Sequence, residues 1–448
     1  MSPTVYHING VLARVVARVP IGTTLGLFHL LWSLLSGCFL RSRGGVTPAL
    51  DYFGLPPDAV RRSAAALTYG SWTIDTLVKG FAEVIDAEGR CAFREYEGYR
   101  PLDIDLVGFR RPRLKDCETK HYDSQAGKAV RAIVIGLSVR VGTVETAQGE
   151  KRVAVPVTIT RPDPDEVSEK ALRKKLLGAA AKRMGPNDAT VTDRGFPLGE
   201  IHEAKIKRYV GRVDQTFTAE RATPKAYPGP VRPAEHGEIV RPLARTRKGK
   251  RIEATPPDRT EEWTEDEGDV IYRLRAEWWD DLVLPGAGPT GERFGCAVIY
   301  DPRYPEPLVV CTPMRVSGRT LRALYRERWV VENPPLVAKQ MLGVQRQFVF
   351  GKESRYRLPE LALLGGAILG YIAAVTAVVA SGFWDRRPKA TSGRLRRVLE
   401  SVHYGELGVL PKRIRRKESD TARLPKGAEA PRRRKGDWDR PETKRIAA

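Results

Sequence analysis

Cysteine is scarce in this chain of 448 residues, and what there is does not pair. The five thiols, Cys38, Cys91, Cys117, Cys296 and Cys311, are scattered and odd in number, with no CxxC or CxxH spacing. That pattern argues against a disulfide framework and a zinc site, and it points to a reducing compartment with plain buried thiols. No internal repeat is visible, and the N-terminus carries no apparent secretory signal, so a cytoplasmic, nucleoid-associated protein is expected. Long apolar runs are also few. The stretch 26–40 contains His29 and serines and is too short for a bilayer. Residues 361–383 are long enough, since a span needs roughly 20 mostly apolar residues, and basic residues flank them. Their wealth of alanine and glycine suits close helix packing in a soluble core, which is the expected role; a membrane anchor is the rival one. Acidic charge is in deficit: 54 Asp and Glu face 76 Lys and Arg, a formal net charge of +22. Such a field draws polyanions, so nucleic acid or an anionic membrane surface is the expected partner.

Five regions follow from composition and periodicity. Residues 1–95 read as helical, with a helix, a Gly/Pro turn and a second helix over 47–67. Asp58 stands as its N-cap, with Arg61 and Arg62 in the first turns. This is either a helix-turn-helix that reads DNA or an ordinary helical hairpin. From residue 96 to 218 the period changes. The segment 101–109 alternates, with Leu102, Ile104 and Leu106 on one face and Asp103, Asp105 and Val107 on the other. Apolar β-branched runs at 130–141 and 152–160, an amphipathic helix over 165–184 and a strand over 189–193 give the order β-β-β-α-β. This is the opening of an α/β, ribonuclease-H-like mixed sheet. Residues 219–312 are a basic linker followed by strand-like runs at 270–284, 297–300 and 307–312, expected as a small β-rich insertion. Residues 313–384 return to the first pattern, and 385–448 read as a basic, mobile tail without a core.

The densest chemistry lies in Tyr325, Arg328, Glu332 and Lys339, spaced three, four and seven apart. On an unbroken helix these offsets share one face, bringing together a phenol, a guanidinium, a carboxylate and an ammonium. Such a face could hold a metal ion beside a phosphodiester. The spacing resembles the Tyr-Arg-Glu-Lys signature of the cut-and-paste (DDE) transposases of the bacterial insertion-sequence-four family. The likeness extends over about residues 95–380, is sharpest at 325–339 and good at 190–196, and is weak in the N-terminal region.

The resemblance implies a catalytic set. Two divalent ions commonly assist in-line displacement at phosphorus, and hard ions such as Mg²⁺ or Mn²⁺ favour carboxylate oxygens. Glu332 supplies one carboxylate. The motif Asp193-Arg194-Gly195-Phe196 matches the family's second. The first is Asp105 by resemblance, although alternation alone cannot choose between it and Asp103. Each has a plain alternative: Asp105 on a half-exposed strand, Asp193 capping the turn at Gly195, Glu332 paired with Arg328 on a solvated helix. Tyr325, Arg328, Lys339 and Arg194 would contact DNA. A flipped base would stack on an aromatic residue of the β-rich insertion, for which Trp263, Trp278 and Trp279 are candidates.

Pro334 and Pro335 follow the glutamate closely, so one helix is expected to end near Glu332 and another to begin with Asn333 as its cap. That break would put the alignment of Lys339 with Tyr325 in question. The expected function is metal-dependent cleavage of transposon ends and strand transfer into target double-stranded DNA, by a homodimer or larger synaptic complex without a membrane. The rival is a DNA-binding protein on the same scaffold that has lost catalysis.

Overall fold

The computed structural model describes residues 2–414 except 21, 115–116, 118, 124–125, 225–235, 379, 381, 409 and 411–413. Part of the basic linker and residues 415–448 of the expected tail therefore lie outside the described residues. Six helices come first: α1 (Pro3–Val16), α2 (Thr24–Leu35), α3 (Cys38–Arg41), α4 (Val46–Tyr52), α5 (Pro57–Tyr69) and α6 (Ile74–Glu88). Strands β1 (Ala92–Phe93), β2 (Arg100–Arg110), β3 (Lys120–Asp123), β4 (Lys128–Thr146) and β5 (Gly149–Thr160) lead to α7 (Glu169–Ala181) and β6 (Asp188–Thr192). After α8 (Leu198–Glu203) come β7 (Tyr209–Arg212), β8 (Ala219–Arg221), β9 (Ile239–Val240), β10 (Arg245–Arg247) and β11 (Lys250–Ile252). The β-rich stretch closes with β12 (Arg259–Glu267), β13 (Val270–Val283), β14 (Phe294–Tyr300) and β15 (Leu308–Thr312). Helices α9 (Gly318–Glu327), α10 (Asn333–Leu336), α11 (Ser354–Val375) and α12 (Ser392–Leu399) complete the order.

The fold is mixed α/β. Long, almost continuously apolar β4 pairs antiparallel with β2 and β5, while β2 runs parallel to β6 and β6 to β7. A strand buried on both faces needs no alternation, and Leu102, Asp103 and Ile104 are all buried in β2. Helix α7, capped by the Ser168 hydroxyl accepting from the Ala171 N–H at 3.1 Å, packs Leu172, Leu176 and Leu177 on one face of the sheet. The segment 219–312 is not a detached subdomain. Strand β15 pairs with β7, β14 with β15 and β13 with β14, so the one sheet continues through it.

Helix α11 is the 22-residue apolar segment, and 94% of its most apolar window is buried by protein. It lies between β4 and β5 of the sheet and helices α2, α5, α6 and α12. By length and composition alone it could cross a membrane; here it is the centre of a helical core that the N-terminal helices complete. A Cβ built on Gly366 would stand 2.6 Å from the Pro334 carbonyl oxygen, so glycine lets α11 and α10 touch. Gly366→Ala is therefore expected to cost about 1–3 kcal/mol of stability through overpacking, measurable by denaturant unfolding.

Three expectations change. Asp58 does not cap α5: Pro56 occupies that position, Pro57 opens the helix, and Asp58 sits exposed in its first turn, 3.8 Å from Arg61. The apolar face of α5 is buried, and α5 packs against α2, leaving Arg61 exposed and Arg62 half-buried. The region after residue 385 is not structureless throughout, because Thr391 caps α12 and Leu395, Leu399 and Val402 join the helical core. Their four- and three-residue spacing is an apolar stripe that the surrounding arginines obscure.

Candidate functional site

Ser317 opens α9 by accepting from the Thr320 N–H at 3.2 Å, and Glu97 in turn accepts from the Ser317 hydroxyl at 2.6 Å. The chain then changes pitch without unwinding. Arg328–Glu332 is a 3-10 turn, Asn333–Leu336 is α, and Val337–Met341 is a π turn. One helical segment does end at Glu332 and another begins at Asn333, as expected, but Asn333 has helical backbone angles of −65° and −51°, so it is the first residue of α10 and not its cap. Tightening before the prolines sends the Asn333 N–H to Val330, and widening after them sends the Leu342 N–H to Val337. A 3-10 turn and a π turn together absorb the amide donors that two prolines remove.

Asp105 lies at the middle of β2, half-buried, and its Oδ1 accepts from the Leu106 N–H at 2.8 Å. Burial, then the Asp193 carboxylate, push its carboxyl up from 3.8 to about 6; Arg328 opposes the rise and Glu332 adds to it. One carboxyl thus feels the other two members of the expected set. Asp103, two residues earlier, is fully buried and neither of its oxygens has a hydrogen-bond partner. Burial, followed by Glu327, drives its carboxyl well above the ordinary range. Asp193 and Glu332 thus act on the carboxyl of Asp105, whereas Glu327 acts on that of Asp103.

The plain alternatives are also realised. Asp193, just beyond β6, accepts from the Gly195 N–H at 2.8 Å. Glu332 accepts from Arg328 Nη2 at 2.8 Å. Among the described residues, no three of His, Cys, Asp and Glu stand close enough to hold one ion. Arg328 is buried, 5.2 Å from the centre of the Trp329 ring and 6.0 Å from that of Tyr325. Burial opposes its charge, but Tyr325, Asp105 and Glu332 keep it above its ordinary value. Lys339 still faces the set despite the change of pitch: burial lowers its ammonium, while Asp105 works against that. Arg194 is exposed and lies 3.6 Å from Asp214.

Two of the tryptophans are core residues. Trp278 and Trp279 are each 1% exposed, and Trp279 donates to the Thr255 carbonyl at 3.0 Å. Neither can offer a face to a base without unpacking the sheet. Trp263 is half-buried, its indole donating to Glu265 at 3.3 Å. The aromatic faces that do open beside the site are Trp329, 63% exposed, and Tyr304, 59% exposed. They line a cavity of about 340 Å³ with Pro305, Pro307 and the cations Arg212, Arg326 and Arg328. Arg212 donates to the Tyr325 hydroxyl at 3.4 Å.

Glu327 was not foreseen. It is 2% exposed at the junction of α9 and the 3-10 turn, accepting from Tyr96 and from Arg152 Nε at 2.6 Å, with Arg94 Nε at 3.7 Å. Its position between Tyr325 and Arg328 was the available signal, since it faces the other way from the signature and must be buried or solvated. Here it ties the signature segment to the sheet. Comparison with family models and with curated proteins finds no match to this chain.

Proposed function

We propose that this protein is a DNA transposase that cuts transposon ends and joins them to target DNA with the help of divalent metal ions. The observation that carries the reading is the coupling of Asp105 to both Asp193 and Glu332. Asp193 at a strand end and Glu332 on a separate helical segment both act on Asp105 of the central strand, as do Arg328 and Lys339. The strand order β5-β4-β2-β6-β7, with β2, β6 and β7 parallel and β4 reversed, supports a ribonuclease-H-like scaffold.

The donor set suits hard ions such as Mg²⁺ or Mn²⁺, because its members are all carboxylates. Asp105, Asp193 and Glu332 would hold them, and the ions would supply an activated attacking oxygen and a stabilised leaving oxygen. The chain's own residues do the rest. Tyr325 and Arg328 would position a backbone phosphate, with Arg212 behind the phenol. Trp329 and Tyr304 would take an unstacked base in place of the buried tryptophans. Burial favours the protonated form of Asp103, which would lessen the negative charge beneath the set. The formal charge of +22 supports double-stranded DNA as partner. A homodimer or larger synaptic complex in the cytoplasm is part of the same reading, and Arg61 and Arg62 would add DNA contacts.

The bonds from Arg328 to Glu332 and from Gly195 to Asp193 favour a second reading, a DNA-binding protein without catalysis. Mg²⁺-dependent cleavage of a duplex carrying the element's ends separates the two: cleavage supports the enzyme, and binding without cleavage supports the rival.

A further inference from the structure

Helix α9 is held at both ends by one turn of the chain. Between β1 and β2 the Tyr96 N–H donates to the Tyr99 carbonyl at 2.8 Å, and the Tyr99 N–H to the Tyr96 carbonyl at 2.9 Å. The two residues enclosed, Glu97 and Gly98, have φ of 47° and 82°. A two-residue hairpin turn of this hand favours Asn, Asp or Gly. Glutamate in the left-handed region is strained, because its Cβ crowds the following carbonyl. Glu97 is exposed, so burial does not impose this conformation. Its carboxylate accounts for it, accepting from the Ser317 hydroxyl at 2.6 Å and the Thr320 hydroxyl at 2.8 Å at the start of α9. At the end of that helix, which is about 15 Å long, the Tyr96 hydroxyl donates to the buried last residue, Glu327. The rings of Tyr96 and Tyr99 pack against the cluster of Leu321, Leu324 and Tyr325 in between.

We infer that the turn of residues 96–99 sets the position of Tyr325 and Arg328 relative to Asp105, with Tyr96 and Glu97 as positioning residues; the inference rests on the transposase reading. The turn is bonded directly to β2, which begins at Arg100 and carries Asp105. Through side chains it grips the helix that carries Tyr325 and ends one residue before Arg328. A strained residue persists only where its surroundings over-determine it, and at Glu97 those surroundings are the signature helix. The precision matters because a shift of about 1 Å in a group that orients substrate can cost a hundredfold in rate.

The test compares the full-length protein with its Tyr96→Phe/Glu97→Gly variant. Glycine takes the left-handed turn without strain, phenylalanine keeps the packed ring, and Arg152 still donates to Glu327 at 2.6 Å. The variant should therefore unfold at close to the unaltered temperature. Amide hydrogen exchange over residues 317–332 is expected to quicken about tenfold, the effect of one charged hydrogen bond. Mg²⁺-dependent cleavage at saturating DNA should fall about tenfold to a hundredfold, with DNA affinity unchanged in a gel shift. Glu97→Gln keeps an oxygen that can accept from both hydroxyls and should cleave like the unaltered protein. Unchanged exchange over 317–332 would overturn the inference, as would unchanged cleavage by the double variant. An equal loss of cleavage in Glu97→Gln would overturn it too, since charge rather than position would then be the cause. If the unaltered protein itself binds the ends but never cuts them, the transposase reading fails first and this inference falls with it.

Discussion

Glu332→Gln is expected to lower Mg²⁺-dependent cleavage by about a thousandfold or more while leaving DNA affinity within a few-fold. Glutamine has the same shape and keeps a carbonyl oxygen for Arg328, which now donates to Glu332 at 2.8 Å. Stability should therefore change little. What disappears is one of the two negative charges that act on Asp105. A labelled duplex assayed for nicking with and without Mg²⁺, beside a gel shift at fixed salt, measures both quantities. Equal cleavage by the variant would remove Glu332 from the catalytic set.

Asp105→Asn is expected to show the opposite balance, gaining stability as it loses activity. The folded protein holds this carboxyl at about 6 against an ordinary value of 3.8, so folding favours its protonated form. Stabilisation from that preference is complete below about pH 3.8 and is lost as pH rises through 6. At pH 8 the ionised group costs the metal-free protein on the order of 1–3 kcal/mol. Asparagine removes that cost, so the variant should gain about that much at pH 8 and progressively less toward pH 5. Mg²⁺ should raise the Tm of the unaltered protein by binding the native state, and should raise that of Asp105→Asn much less. Thermal unfolding across pH, with and without Mg²⁺, reads both effects. A gain that does not vary with pH would show that charge on Asp105 is not the cause.

Much of the central sheet was legible because its period is strong. Residues 101–109, 130–141 and 152–160 and all but the last of 189–193 fall in strands, and the intervening amphipathic stretch is α7. The carboxylates could be named because they sit at ends or middles of those elements. Separating Asp103 from Asp105 needed the neighbours: both are on the same face, and only the fold shows that Glu327 raises the carboxyl of one while Asp193 and Glu332 raise that of the other. The double proline was read only in part, for a different reason. The rule that proline ends a helix assumes constant pitch, and this segment changes pitch on both sides instead. The tryptophans of the β-rich stretch were misplaced because their burial depends on β13 lying inside the sheet. Trp329, at the site itself, stood in the same run as Arg328.

Helix α11 sets an order of assembly. The ribosome finishes α1 to α6 long before residues 354–375 exist, and at about 5–20 residues per second the wait is on the order of tens of seconds. Throughout that time α2 can pack on α1 and α5 but lacks its contact with α11, which has not been made. A chain stopped before residue 354 would leave the faces of α2, α5 and α6 that α11 covers open to chaperones or to other nascent chains. Closure of the helical core thus comes late in synthesis, with the arrival of one buried helix.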